Sequence, residues 1–180
     1  MAGRKGLHTM SEVPGEGWDS RSLENFAGPA GLEPDGDADG TGQNGGQAAS
    51  AQDGADVHAW YTTGMALLGK GSPAAAAQVL QRAAMAEPTS RSVREALARA
   101  QFDTGRYAEA ADNFRLIVEA SPTDDYAHFG LGLALARAGE HERAAEYLAL
   151  AAAMRPDRKP YTDALRQVRA TLEARKREAE

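Results

Sequence analysis

An acidic, glycine-rich segment in the amino-terminal part of the chain has the residue types of a calcium-binding loop. In residues 35–46, Asp35, Asp37, Asp39 and Gly40 fall on positions 1, 3, 5 and 6 of the twelve-residue EF-hand pattern, which supply oxygen ligands and a sharp turn. Position 12 requires a glutamate that binds the ion with two oxygens, but it is a glycine here. The flanking residues also lack the apolar periodicity of the two EF-hand helices. We therefore expect an acidic linker, not a calcium site.

No other group of side chains has a spacing typical of catalysis or metal binding. The histidines stand singly, without the i, i+4 partner of a helical metal site; they are His8, His58, His128 and His141. The chain contains no cysteine, which excludes thiolate nucleophiles and thiolate metal sites. The segment GLGLALARAG (residues 130–139) follows no predicted strand, so it is not a dinucleotide-binding motif. We expect a protein that is not an enzyme and that uses neither a cofactor nor a metal.

Charge divides the chain into an acidic amino-terminal part and a nearly neutral remainder. Residues 1–56 carry 10 acidic and 3 basic side chains, whereas residues 57–180 carry 16 acidic and 17 basic ones. The remainder lacks the clustered positive charge that favours binding to nucleic acid or to an anionic membrane. No apolar run is long enough for a secretory signal or a membrane span. These features predict a disordered acidic tail over residues 1–56 and a cytoplasmic protein.

The tail contains one short segment with apolar side chains. In GWDSRSLENFAG, Trp18, Leu23 and Phe26 are surrounded by polar residues, and Ser20 has the residue type of a helix cap. Isolated helices of this length are marginal in water, so the expected state is disorder. The alternative is a docking motif that becomes ordered on binding.

The remainder of the chain repeats with a period of 34 residues. Pro88, Pro122 and Pro156 recur at this interval, and a glycine occupies the fifteenth position of each window. A fixed period of this size is typical of stacked repeats. Each window contains two helical patterns, because the glycine can take the positive φ that ends a helix and the proline cannot continue one. The windows are residues 57–90, 91–124 and 125–158.

Three positions of the period keep their residue size in every window, as two closely crossing helices require. They are alanine at position 20 (Ala76, Ala110, Ala144), a large apolar residue at position 24 (Leu80, Phe114, Leu148), and glycine or alanine at position 8 (Gly64, Ala98, Gly132). A helix that is merely rich in alanine would not keep this register.

With these residues, the chain resembles the tetratricopeptide repeat family. The matching positions are Trp60, Gly64, Ala76 and Pro88 in the first window and Leu131 and Gly132 in the third. The resemblance implies an all-α fold, a right-handed α-solenoid of three helix-turn-helix repeats. Residues 159–180 continue the apolar spacing and are expected to form the carboxyl-terminal capping helix that such an array needs. The composition, rich in Arg, Ala and Gly, favours a bacterial source.

The second and third windows depart from the family pattern at some positions. Arg94 and His128 replace the aromatic residue of position 4, and Gln101 occupies the usually aromatic position 11. These departures predict looser packing in the second repeat without a change of fold.

The resemblance also implies a concave groove lined by the first helix of each pair, with positions 2, 5, 9, 12 and 13 exposed. The candidate peptide-binding residues at these positions are Tyr61, Met65, Leu68, Glu95, Arg99, Phe102, Tyr126, Phe129, Leu133 and Arg137. His58, Ser92, Asp103 and Ala136 complete the set. Because these residues are largely apolar, we expect a groove that binds an extended or helical peptide with aliphatic anchors. The carboxylate clamp of chaperone-binding relatives is not expected, since its positions hold Tyr61, Met65, Ala96, Tyr126 and Gly130.

These expectations define a function. The chain is predicted to be a non-catalytic adaptor or scaffold that binds a segment of another protein in its groove. The alternative is a self-associating or autoinhibited module, in which the groove takes a second copy, as a homodimer, or the protein's own tail.

Overall fold

The computed structural model describes the backbone of residues 47–180 and the side chains of residues 56–180. The calcium-like loop and the segment with Trp18, Leu23 and Phe26 lie outside the described residues. Over the described range the chain forms seven α-helices and no strand. They are α1 (Gln47–Gly69), α2 (Pro73–Ala86), α3 (Arg91–Asp103), α4 (Tyr107–Ala120), α5 (Asp125–Arg137), α6 (His141–Met154) and α7 (Lys159–Ala179). The predicted all-α solenoid is confirmed.

The first helix is longer than the repeat period indicates. It begins at Gln47, whereas the period places the first repeat boundary at Val57. The added residues are rich in alanine and glutamine, which have a high helix propensity and extend α1 towards the amino terminus. The repeat period could not predict the start of α1 at Gln47, because the other repeats have no equivalent of these added turns.

The helix ends follow the predicted glycine pattern. Gly71, Gly105 and Gly139 have φ angles of 69°, 78° and 89°, in the left-handed region that favours glycine. Beyond Gly105, the backbone N–H of Arg106 donates to the carbonyl of Gln101 at 2.9 Å, which closes a Schellman-type end. The glycines therefore end the first helix of each pair, as predicted.

The predicted start of the helix after Ser72 is at the correct position, but the predicted capping by serine is not observed. Helix α2 begins at Pro73 after Ser72, yet the Ser72 side chain makes no capping hydrogen bond. A side chain does cap α5: Asp124 Oδ1 accepts from the backbone N–H of Ala127 at 3.0 Å at the start of that helix.

The two helices of a pair cross closely at the small positions. Ala76, Ala110 and Ala144 are fully buried, as are the large residues at position 24. A Cβ atom built on Gly64 would lie 2.5 Å from the Cγ atom of Leu80, so only glycine fits this crossing. The predicted role of these positions is confirmed.

The helices stack in chain order, each packing on the next. Helices α1 and α3 also touch each other, as do α5 and α7, so first helices line one side of the array. Helix α7 packs on α6 and buries Tyr161, Ala164 and Val168, which confirms the capping role expected of residues 159–180.

The second repeat is not loosely packed at position 11. Gln101 is only 2% exposed, and its Oε1 accepts from Asn113 Nδ2 at 2.8 Å. The Oδ1 atom of Asn113 accepts in turn from Arg94 at 3.1 Å. A hydrogen-bonded polar network thus connects α3 and α4 at the position where the family usually has an aromatic residue.

Candidate functional site

The structure divides the ten predicted groove residues into two groups. Those with exposed fractions of 8% or less are Leu68, Phe102, Tyr126, Phe129 and Leu133. Those that remain partly exposed are Tyr61, Met65, Glu95, Arg99 and Arg137. The expected exposure of the first group is therefore wrong, and the groove is not the apolar trough that the sequence suggested. We call the second group the concave strip.

The capping helix covers the groove position of the third repeat. The ring of Phe129 in α5 stacks on the ring of Tyr161 in α7, with centroids 4.4 Å apart and an interplanar angle of 23°. The Tyr161 hydroxyl donates to Asp125 Oδ2 at 2.9 Å, which anchors α7 against the start of α5. Phe129 is fully buried as a result.

The other aromatic candidates stabilise contacts between neighbouring helices. Phe102 meets Tyr107 edge-on at 5.3 Å, at the start of α4. Tyr126 meets Phe114 of the preceding repeat edge-on at 6.3 Å. Because these rings are already in use between helices, they cannot serve as open anchors for a peptide.

Charged residues follow one face of α3 at intervals of four: Arg91, Glu95 and Arg99. The guanidinium of Arg91 lies 2.6 Å from Asp124 Oδ2 and 3.5 Å from Glu95 Oε2. Asp124 also caps α5, so this pair connects the starts of α3 and α5. Arg99, by contrast, makes no hydrogen bond or ion pair with the described residues.

Burial and charge act together at this strip. Burial raises the pKa of Glu95 above its usual range, although Arg91 and Arg99 oppose that shift. Burial also raises the pKa of Tyr61, which feels the charges of Glu95 and Arg99. Tyr61 of α1 and two residues of α3 therefore share one electrostatic environment.

Tyr126 contributes a polar atom to the same environment. Burial raises the pKa of its phenol well above the usual value; the charge of Arg99 opposes this shift and the charge of Glu95 adds to it. The Tyr126 hydroxyl has no hydrogen-bond partner among the described residues. Buried hydroxyl groups are normally hydrogen-bonded, so this one is an exception.

Three residues of this region are not among those predicted from the sequence: Arg91, Asp124 and Tyr161. A signal existed for Asp124, because aspartate directly before an apolar helical segment is a favoured helix cap. The partners of Arg91 and Tyr161 lie 33 and 36 residues along the chain, and helical periodicity does not reveal such contacts.

Within residues 56–180, no group of three or more His, Asp or Glu residues could hold a metal ion. Among the described helices, none combines the length and the apolar character needed to cross a membrane. The buried His128 places Nδ1 2.9 Å from the carbonyl oxygen of Asp124, within its own helix start.

Several solved structures are similar to this chain, and some of them are TPR domains. The first TPR of Spaghetti (RPAP3) bound to HSP90 peptide SRMEEVD has a TM-score of 0.62 and 19% identity, covering 66% of this chain and 94% of that one. MamA from Desulfovibrio magneticus RS-1 has a TM-score of 0.64 and 22% identity, covering 69% and 70%. The Sgt2 TPR domain from Aspergillus fumigatus has a TM-score of 0.62 and 19% identity, covering 69% and 83%. At these identities the likeness shows the fold alone.

No curated protein matches. The family described as Tetratricopeptide repeat matches at residues 47–91, 61–125 and 95–159. These overlapping matches span more than half of the chain and coincide with the stacked helix pairs. The chain therefore belongs to the tetratricopeptide repeat family.

Proposed function

We propose that this protein is a non-catalytic protein-interaction module that holds a segment of a partner protein against the concave side of its repeat array. The observation that carries the proposal is the concave strip. Its residues lie on the first helices, which line one side of the array, and they remain partly exposed while the aromatic residues around them are buried.

The architecture of a similar structure supports this proposal. The first TPR of RPAP3 is bound to the HSP90 peptide SRMEEVD, so an array of this size and fold can hold a short segment of another protein. The chemistry of the ligand must differ here, because tyrosine, methionine and glycine stand where the carboxylate clamp of chaperone-binding relatives requires Lys, Asn and Arg. The partner is accordingly a protein segment other than a chaperone tail.

The residue types of the strip indicate what it binds. Tyr61 and Met65 offer apolar area on α1, and Arg99 and Glu95 offer opposite charges on α3. Tyrosine, methionine and arginine are the types enriched at protein interfaces. We expect a ligand with one apolar anchor residue beside polar or charged groups. A ligand with several aliphatic anchor residues, as expected for an apolar groove, would not fit the strip.

The alternative function loses its main support. Occupation of the groove by a second copy or by Trp18, Leu23 and Phe26 assumed an apolar lining. Because Phe102 and Phe129 are buried between helices, little apolar area remains on this side to attract those residues.

Selection of random peptides on the full-length protein tests the proposal. Selected peptides should bind the Tyr61→Ala/Arg99→Ala variant at least about tenfold more weakly than wild type, since interface tyrosine and arginine residues commonly contribute about 1.4 kcal/mol or more. The matched control is Arg82→Ala/Met85→Ala on α2, whose exposed side chains lie away from the strip. Circular dichroism confirms that both variants fold. Peptides that bind the strip variant as tightly as wild type would refute a concave binding site.

A further inference from the structure

The side of the array opposite the concave strip carries two exposed leucines. The second helices of the pairs lie on this side, because the first helices line the other. Leu116 of α4 and Leu150 of α6 both occupy position 26 of their windows, and they are 44% and 47% exposed. One exposed leucine is ordinary on a protein surface, but here the same position is apolar and exposed in two consecutive repeats. The first repeat has Arg82 at this position, so the leucines are confined to the second and third repeats.

Carboxylates surround these two leucines. Residues 106–120 and 140–154, which contain α4 and α6, carry six acidic and three basic side chains, a balance of −3. Each of the three arginines is ion-paired with one of these acids: Arg106 with Glu109, Arg115 with Asp112, and Arg143 with Glu140. The other three acids are exposed and make no hydrogen bond or ion pair with the described residues. They are Glu119, Glu142 and Glu146.

Helical spacing places these acids beside the leucines. Glu119 follows Leu116 by three residues, and Glu146 precedes Leu150 by four, so each pair shares one face of its helix. Glu142 lies one further turn along α6 on the same face. We call Leu116, Leu150 and the three acids the convex patch. It combines exposed apolar area with negative charge that the described residues do not neutralise.

We propose that the convex patch binds a second partner, a segment of another protein that carries aliphatic side chains beside lysine or arginine residues. The aliphatic side chains of this segment cover the leucines, and its cations meet the three carboxylates. Such charge complementarity selects one partner over others and speeds association. The inference goes beyond the proposed function, because the concave strip takes no part in it. With a site on each side, the array can hold two proteins together.

Charge favours this partner over a second copy of the same chain. A two-fold contact would place the patch against itself, so that the carboxylates of both copies would face each other. The apolar segment of the tail is not complementary either, since residues 16–26 carry three acidic side chains and one basic one. The amino-terminal 56 residues, with 10 acidic and 3 basic side chains, add to the negative field and attract the same cationic partner.

The leucines and the acids contribute differently to binding. Exposed ion pairs contribute little in water, and salt screens them further, so each carboxylate changes the affinity by about fivefold or less. Most of the binding must therefore come from covering the two leucines, with the charges deciding which segment is chosen. This division predicts a larger loss of affinity from the leucine variant than from the charge variant.

A peptide selection on the full-length Tyr61→Ala/Arg99→Ala variant tests the proposal, because that background weakens concave ligands. The probe is a library of random peptides. Selected peptides should contain aliphatic residues and more lysine and arginine than aspartate and glutamate. Adding Leu116→Ser/Leu150→Ser should weaken their binding at least about tenfold, and adding Glu119→Gln/Glu146→Gln about threefold. The matched control is Met85→Ser, which removes a 72% exposed apolar side chain from α2, a helix without acidic residues, and it should change nothing.

The other outcomes overturn the proposal. A selection without binding peptides, or with peptides that bind the leucine variant as tightly as its parent, would exclude the convex patch as a site; the second result would place the peptides on the tail or elsewhere. Peptides without an excess of basic residues would exclude a cationic partner. A mass in light scattering that falls on dilution and is reduced by the serine substitutions would assign the patch to a second copy. Circular dichroism checks that every variant folds. The two selections use different surfaces, so the loss of either site leaves the other standing.

Discussion

The crossing of α5 and α6 at Gly132 offers a quantitative test of the packing. Replacing Gly132 by alanine adds one Cβ atom, which would lie 2.6 Å from Leu148 Cγ and 3.2 Å from the carbonyl oxygen of Ala144. Leu148 is fully buried, so it has no free space to move into. The added methyl group must therefore push the two helices apart or force Leu148 out of its preferred rotamer.

The net effect follows from two opposing contributions. Inserting a methyl group into a packed interior costs about 1–3 kcal/mol. Glycine to alanine in a helix interior stabilises by about 0.5–1 kcal/mol. We expect Gly132→Ala to lower the free energy of unfolding by about 1–2 kcal/mol, which for an array of this size lowers Tm by about 3–8 °C.

The same chemical change at Gly69 is the matched control. Gly69 is the last residue of α1, and a Cβ atom there would meet nothing within 4 Å. Gly69→Ala should therefore stabilise the protein, by up to about 1 kcal/mol. In the double variant Gly132→Ala/Leu148→Ala the clash with the leucine is relieved, so its loss should be smaller than the sum of the two single losses.

Urea unfolding followed by circular dichroism measures the wild type, the three single variants including Leu148→Ala, and the double variant. A Gly132→Ala variant as stable as wild type, with unchanged helix content, would contradict this expectation. In that case the two helices would not approach as closely as the structure places them. Equal effects at Gly132 and Gly69 would lead to the same conclusion, since helix propensity alone would then account for both.

Two further predictions concern buried polar groups. Asn113→Ala should lower the free energy of unfolding by about 1–3 kcal/mol, because the Gln101 side-chain oxygen loses its donor. Adding Gln101→Leu to this variant should recover much of that loss in urea unfolding. No recovery would contradict the hydrogen-bonded network. Glu95 has a pKa above its ordinary value of 4.5, so the folded protein binds this proton more tightly than the unfolded chain does. Stability should therefore fall as pH rises from about 4.5 through the raised pKa. Glu95→Gln removes that loss, so the stability of this variant relative to wild type should be greater at about pH 7 than at about pH 4. Urea unfolding at the two pH values measures the difference. The opposite trend would contradict the burial of this carboxylate.

Local residue types were sufficient to predict the helices and their pairing. Proline and glycine act on the backbone of their own position, so Pro88 and Gly105 mark the same boundaries in the sequence and in the structure. The small residues at position 8 recur because each pair crosses in the same way. Gln101 is an exception. Its residue type predicts loose packing, but its side chain is buried because it is hydrogen-bonded to Asn113 on the next helix.

The character of the concave side was decided by contacts between distant residues. Phe129 is apolar and lies at a position that the family exposes, so its own sequence context predicts a peptide anchor. It is buried because Tyr161, 32 residues later, stacks on it from the capping helix. Arg91 is likewise neutralised by Asp124, whereas Arg99 on the same helix face is not. The sequence by itself determined the repeat array, because backbone preferences and size patterns are local. Only the tertiary structure decided which side chains of that array remain open, because exposure depends on what other segments of the chain cover.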